Sequence, residues 1–447
     1  MPIPVIDLFA GPGGLGEGFS SVFNASAQRV FKILLSIEKD EHAHRTLELR
    51  AFFREFMPED TPDDFYEYLR GDIAHDELFG RHPVQARRAR SEAWLATLGE
   101  TPNREVDKRI ETSLGNDNRR WVLIGGPPCQ AYSLAGRSRR KGDKNFEKDE
   151  KHFLYKEYLR ILAVHKPPVF VMENVKGLLS AKFNKEYIFD QIRNDLQHPL
   201  HATDMGGKKD LEYGLFPLVA TKGEVAGYLA PEDFIIRAED YGIPQARHRL
   251  IILGVRSDWK IKPDFLKPAK SHIAVEQVIG DLPKLRSGLS KESDSEKVWR
   301  EAIQDIAQAT WLWGREITQE LRNALTLAAQ RIGKSLSRGV SFLEYNGKPP
   351  TQSTWFTDPK LKGICNHETR GHIRKDLHRY FYAAVFAQEN DRSPLLQDFP
   401  KALLPKHDNV NTALEENKFN DRFRVQLAGR PSTTVVSHIS KDGHYYI

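Results

Sequence analysis

Cys129 is one of only two cysteines in the chain, and its neighbours decide how it reads. It lies in Gly125-Gly126-Pro127-Pro128-Cys129-Gln130-Ala131-Tyr132-Ser133, directly after an apolar run at 121–124. An isolated cysteine is usually an inert buried thiol. Two prolines, however, cannot donate to a sheet ladder, so they stiffen a loop at the strand's carboxyl end, where open α/β sheets bind ligands. A thiol there is a candidate nucleophile, provided its surroundings lower the ordinary thiol pKa of about 8.5. Glu173-Asn174-Val175 follows a second apolar run. A glutamate at a strand end often only meets solvent, but one beside the thiol would serve as a proton donor. Gln245-Ala246-Arg247-His248-Arg249 leads into a third run, and strand alternation puts Arg247 and Arg249 on one face. Two such arginines aimed into a crevice would hold a base or a phosphate.

A second group of residues reads as a binding element. Asp7-Leu8-Phe9-Ala10-Gly11-Pro12-Gly13-Gly14-Leu15-Gly16 runs from a strand through a glycine turn into a helix. Glycines allow close backbone approach and the helix start offers free N–H groups, although a tight βα connection looks the same. Glu38 stands 20 residues past Gly18, where an acidic side chain grips ribose hydroxyls. Asp72-Ile73, after Gly71, is suited to the amino group and face of an adenine. One adenosine-containing cofactor accounts for all three. Downstream of the cysteine, Arg137-Ser138-Arg139-Arg140-Lys141 opens a basic loop suited to phosphate contacts and to closing over nucleic acid. Cys365-Asn366-His367 and His372 are metal-ligating types, but a second ligand pair at zinc-finger spacing is missing. No metal is expected there, and the stretch reads either as polar residues that contact DNA or merely as a loop.

Four of these stretches, Asp7-Leu8-Phe9-Ala10-Gly11, Pro127-Pro128-Cys129-Gln130, Glu173-Asn174-Val175 and Gln245-x-Arg247-x-Arg249, occur in that order before residue 250. Together they resemble the cytosine-C5 DNA methyltransferases of bacterial restriction-modification systems. The resemblance implies a Rossmann-like fold that binds S-adenosylmethionine among Phe9, Gly11, Pro12, Gly14, Glu38, Lys39, Asp72, Ile73, Gly126, Pro128 and Leu154. It implies that Cys129 as thiolate adds to C6 of a flipped cytosine, that Glu173 supports protonation at N3, and that Arg247 and Arg249 orient base and thiolate. Gln130, Ser133, Arg137, Arg139, Arg140, Lys141 and Gln245 are the expected contacts to double-stranded DNA. Residues 257–425 correspond in position to the family's target-recognition domain, and 426–447 to the start of a return segment toward the catalytic domain. The Arg-Glu and Gly-Asn elements that follow in the family do not appear. A shortened chain, a second polypeptide that supplies the rest, and a DNA-binding subunit or remnant without activity are the readings this leaves open. A tRNA cytosine-5 methyltransferase is a further alternative, against which the long recognition region argues. A cognate restriction endonuclease would be a functional partner.

The elements that must position these residues follow from periodicity. Short β-rich runs at 5–9, 33–37, 121–124, 169–172, 234–237 and 250–255 alternate with helical stretches, one of them carrying Tyr155, Tyr158, Leu159 and Leu162 at helical spacing. That is the pattern of a doubly wound, mostly parallel α/β sheet occupying 1–256. Beyond it the alternation fades into a smaller irregular α+β domain with a helical block at 299–332, and 422–447 is again strand-like. The 447 residues suffice for two or three domains, and 40% hydrophobic with 28% charged residues excludes a disordered chain. No apolar run approaches the roughly 18 residues of a membrane span, and the first residues carry no signal-peptide pattern, so a cytoplasmic protein without a membrane partner is expected. The formal charge of +5 permits nucleic-acid binding without demanding it.

Overall fold

The computed structural model describes residues 1–115, 119–128, 153–183, 186–203, 205, 211–219, 229–332, 336–347, 353–406, 408–415 and 420–434. They form two compact units. The first comprises Met1–Tyr68, Ile73–Arg237 and His248–Pro268; the second comprises Leu69–Asp72, Ala238–Arg247 and Ala269–Ile447.

The first unit is built on one sheet. Its strands are β1 (Ile3–Leu8), β2 (Phe31–Glu38), β3 (Ala93–Leu95), β4 (Val122–Gly125), β5 (Val169–Val175), β6 (Tyr213–Phe216), β7 (Ile235–Arg237) and β8 (His248–Arg256). They run in the order β3-β2-β1-β4-β5-β8-β6, with β7 also paired to β8. The β3-β2-β1-β4-β5 part is parallel, and β8 is antiparallel to β5, β6 and β7. Parallel strands need helical cover on both faces, which explains their nearly unbroken apolar runs. Ile6, Leu8, Leu35, Ile37 and Leu123 enter one buried cluster, whereas Val5, Ile33, Val122 and Ile124 form another. Into the larger cluster α1 (Asn103–Leu114) sends Val106, Ile110 and Leu114, and α2 (Phe153–His165) sends Tyr158, Leu159 and Leu162, each at helical spacing. Arg160 of α2 ties the two helices together, bonding Asp107 of α1 at 2.9 and 3.0 Å.

Several features of the sheet differ from the sequence expectation, among them β6 at Tyr213–Phe216, where no strand run stands out. β3 carries no run long enough to stand out, yet Ala93–Leu95 pairs with Ser36, Ile37 and Glu38 of β2 and becomes the sheet's edge. Four helices, at Glu41–Arg54, Asp63–Arg70, His75–Arg81 and Pro83–Glu92, fill the connection between β2 and β3. β5 is also longer than the apolar run at 169–172, because antiparallel pairing with β8 carries it on through Glu173, Asn174 and Val175.

The second unit has its own core, in which Ile303, Ile306, Leu312, Leu325, Tyr382, Phe386, Phe399 and Phe423 are buried together. The expected helical block is interrupted. Helix Glu296–Gln304 is capped by Ser295 and helix Gln319–Gln330 by Thr318, with 3-10 turns at Asp305–Gln308 and Thr310–Trp313 between them. Cys365 lies in a ribbon formed by Gly339–Glu344 and Gly363–Glu368, and its thiol donates to the Leu69 carbonyl at 3.4 Å. His367 contacts the Pro283 carbonyl at 2.8 Å, and His372 packs edge-on against Tyr380.

Asp7 is fully buried in β1. Burial pushes its carboxyl up to about 8 from 3.8, and the Arg54 charge and the Gly16 amide only partly oppose this. The native protein therefore keeps a proton on Asp7 that the unfolded chain gives up above its ordinary value. The stability this carboxyl supplies is complete below pH 3.8 and is lost as the pH rises toward 8. Asp7→Asn, which stays neutral, should lack that slope. The melting temperature of the natural protein is expected to fall relative to the variant's between about pH 5 and about pH 8.5. An offset that stays constant across that range would refute the assignment.

Candidate active site

The strand order reverses between β1 and β4, and both chains leave the sheet there at their carboxyl ends, the position where doubly wound sheets open a crevice. On the β1 side the backbone turns sharply, with Phe9, Gly11 and Gly13 all at positive φ (55°, 56° and 88°). A β-carbon on Gly13 would also stand 2.8 Å from Leu47, so this position excludes larger residues on two grounds. Glu38, at the end of β2, braces the turn. Its Oε2 accepts the Gly11 amide at 2.7 Å, while Oε1 accepts the amides of Lys39 at 2.9 Å and Asp40 at 2.8 Å. The structure thus brings Gly11, Glu38 and Lys39 together, with Phe9, Pro12 and Gly14 in the same turn. The residues present suit a nucleoside in kind: a carboxylate with a lone pair to spare for a hydroxyl, beside a tight turn that leads into a helix.

Asp72 and Ile73 occupy the connection between helices Asp63–Arg70 and His75–Arg81, and Asp72 is 57% exposed and ion-paired with Arg70 at 2.9 Å. The carboxyl end of β3 leads into Ala96, Thr97, Leu98 and Gly99. The Ala96 amide bonds the Glu38 carbonyl at 3.0 Å, Leu98 is buried, and a β-carbon on Gly99 would stand 3.5 Å from Leu154. Leu154 thus lies beside the turn that follows β3.

On the β4 side, Leu8 pairs with Gly125, and a β-carbon at 125 would lie 2.6 Å from the Leu8 carbonyl oxygen. Gly126 packs on Glu173, whose Oε2 would be 3.1 Å from a β-carbon there. Pro127 is buried, and its carbonyl accepts the Asn174 side-chain amide at 3.3 Å, while Asn174 Oδ1 accepts the Val175 amide at 2.8 Å. Sequence reasoning had no role for Asn174. Its signal is its place, between the candidate acid and a strand-end valine, on the face opposite Glu173. Arg249 of β8 opposes Val175 and reaches diagonally to Glu173, Nε to Oε1 at 2.9 Å. The side chains are 21% and 24% exposed, so the pair opens to solvent and orients more than it stabilises.

Arg247 does not share the strand face of Arg249. The short strand Gln245–Ala246 ends before it, β8 starts after it, and its amide turns back to the Gln245 carbonyl at 2.9 Å, which breaks the alternation. Arg247 is exposed, and both it and Gln245 belong to the second unit. Cys129, Gln130, Ser133, Arg137, Arg139, Arg140 and Lys141 lie outside the described residues; Pro128 is the last described before them.

Residues 91–199 and 220–393 match the family described as C-5 cytosine-specific DNA methylase. The Type II methyltransferase M.Bpa9945I of Bacillus paralicheniformis is 28% identical over 463 residues, a match covering 99% of this chain and 86% of that one. M.BspRI of Lysinibacillus sphaericus, another Type II methyltransferase, is 30% identical over 292 residues, 62% of this chain and 52% of its own length.

Two substitutions test this geometry. Gly125→Ala should destabilise the first unit by about 2 kcal/mol or more, since backbone rather than a flexible side chain blocks the new methyl. Asn174→Asp sets a carboxylate against the Pro127 carbonyl and should cost about 1–3 kcal/mol. Denaturant unfolding reads both, and natural-like midpoints would contradict the close approaches described.

Proposed function

Because this chain belongs to the C-5 cytosine-specific DNA methylase family, we propose that it methylates C5 of cytosine within a specific double-stranded DNA sequence, using S-adenosylmethionine and a covalent bond from Cys129 to C6. The observation that carries this reading is the meeting of Glu173 with Gly126 and Arg249, beside an Asn174 that holds the carbonyl of Pro127, two residues before the thiol.

S-adenosylmethionine, when bound, supplies an electrophilic methyl group on a sulfonium sulfur. The turn from Phe9 to Gly14, with Glu38, Lys39, Gly126, Pro128 and Leu154, would hold it. Cytosine C5 is a poor nucleophile until the ring's conjugation is broken. The Cys129 thiolate adds its electron pair to C6, and Glu173 delivers a proton to N3, so that C5 gains enamine character and accepts the methyl group. Loss of the C5 proton to a base, departure of the thiolate and return of the N3 proton to Glu173 then restore the ring. Arg249 keeps the Glu173 carboxyl turned toward the crevice and adds a positive charge that favours the thiolate. C6 is inaccessible within stacked DNA, so the base must swing out, and the basic loop from Arg137 to Lys141 would close on the phosphates. Gln245 and Arg247 would meet the target strand. The second unit would read base edges.

Incubating the purified chain with labelled S-adenosylmethionine and either duplex DNA or tRNA tests the proposal. Label should enter duplex DNA, as 5-methylcytosine. Transfer to tRNA alone, or DNA binding without transfer, would reject it. Cys129→Ser should abolish both turnover and covalent trapping on 5-fluorocytosine DNA, and retained trapping would exclude the thiol as nucleophile. Glu173→Gln should slow transfer by about 100-fold while sparing DNA binding, in line with the usual contribution of a positioned acid.

A further inference from the structure

The Gln245–Arg247 element is held by a strand of only two residues. Ser432–Thr433 runs parallel to Gln245–Ala246, with Ser432 opposite Gln245 and Thr433 opposite Ala246. The Ser432 amide donates to the Pro244 carbonyl at 3.0 Å, and the Thr434 hydroxyl to the Ala246 carbonyl at 2.8 Å. On its own such a ribbon is too short to persist in water. Its other edge is closed by a side chain. Gln426 Oε1 accepts the Thr433 amide at 2.8 Å, and Gln426 Nε2 donates to Thr433 Oγ1 at 2.8 Å. The carboxamide thus stands in for a third strand. Beyond the ribbon, Arg247 is pinned through its amide to Gln245 and through its carbonyl by the Ala238 amide at 3.1 Å. The next residue opens β8, the strand that bears Arg249.

We propose that Gln426, acting through Thr433, is a positioning residue that fixes the backbone of Gln245–Arg247 for engagement of the target cytosine. The functional part of this inference rests on the proposed methylation; the structural part does not. Gln426→Met keeps the volume and removes both hydrogen bonds. Gln426→Glu keeps them, since a carboxylate accepts the Thr433 amide and also the Thr433 hydroxyl, which reverses to donate.

The natural protein and both variants are compared in steady-state methylation of duplex DNA and in amide hydrogen exchange. In Gln426→Met, exchange at Ala246 and Arg247 should accelerate about tenfold or more. Its kcat/KM for DNA should drop about tenfold or more, while KM for S-adenosylmethionine stays within about twofold. Gln426→Glu should restore both readouts. Unchanged exchange at 246–247 overturns the proposal whatever the activity. So does full kcat/KM in Gln426→Met, an equal loss of cofactor affinity, or failure of Gln426→Glu to rescue. A natural protein that transfers no methyl group would refute the methylation reading, and the exchange data would still decide the clamp.

Discussion

The pairing of β1 with β4, in which Leu8 lies against Gly125, is the constraint from which the site follows. A side chain at 125 would collide with the Leu8 carbonyl, so the strands approach this closely only because the residue is glycine. The neighbours of β1 on one side are β2 and β3, and those of β4 on the other are β5 and β8. Crossovers therefore depart to opposite sides, and a gap opens between the connections at the strands' carboxyl ends. The glycine turn after Leu8 and the proline turn after Gly125 become neighbours, although more than a hundred residues separate them in the chain.

Different interactions then hold the two turns. The turn after β1 is braced by a charged group, the Glu38 carboxylate, which takes three backbone amides. Charge-assisted bonds of this kind are stronger than neutral ones and fix a turn that positive φ angles would otherwise disfavour. The turn after β4 is held by a neutral amide, Asn174, buried beneath it. A neutral brace there leaves the local charge to Glu173 and Arg249, which face the open side. Since their ion pair is partly solvated, little folding stability depends on it.

The second unit solves a different problem. Its core comes from helices and aromatic side chains, while its strands, among the described residues, occur in pairs. A two-residue ribbon gains little from its own ladder, so a side chain completes it: Gln426 for the Ser432–Thr433 strand. The thiol of Cys365 is spent on a backbone carbonyl, and burial pushes its pKa up, which suits a structural residue rather than a reactive one.

The sequence alone determined what depends on local periodicity and residue type. Buried parallel strands must be apolar throughout, so β1, β2, β4, β5 and β8 stood out, and the glycine turn, Glu38 and Glu173 were legible at their ends. The tertiary structure decided what depends on partners. Ala93–Leu95 is a strand only because β2 offers it an edge. Arg247 is outside β8, since Gln245 and Ala246 pair with Ser432 and Thr433 and its amide turns back to the Gln245 carbonyl. Asn174 and Gln426 gain their roles from carbonyls and amides distant from them or folded back on them. A hydrogen bond between such groups leaves no period in the sequence, because its geometry exists only once the chain has closed on itself.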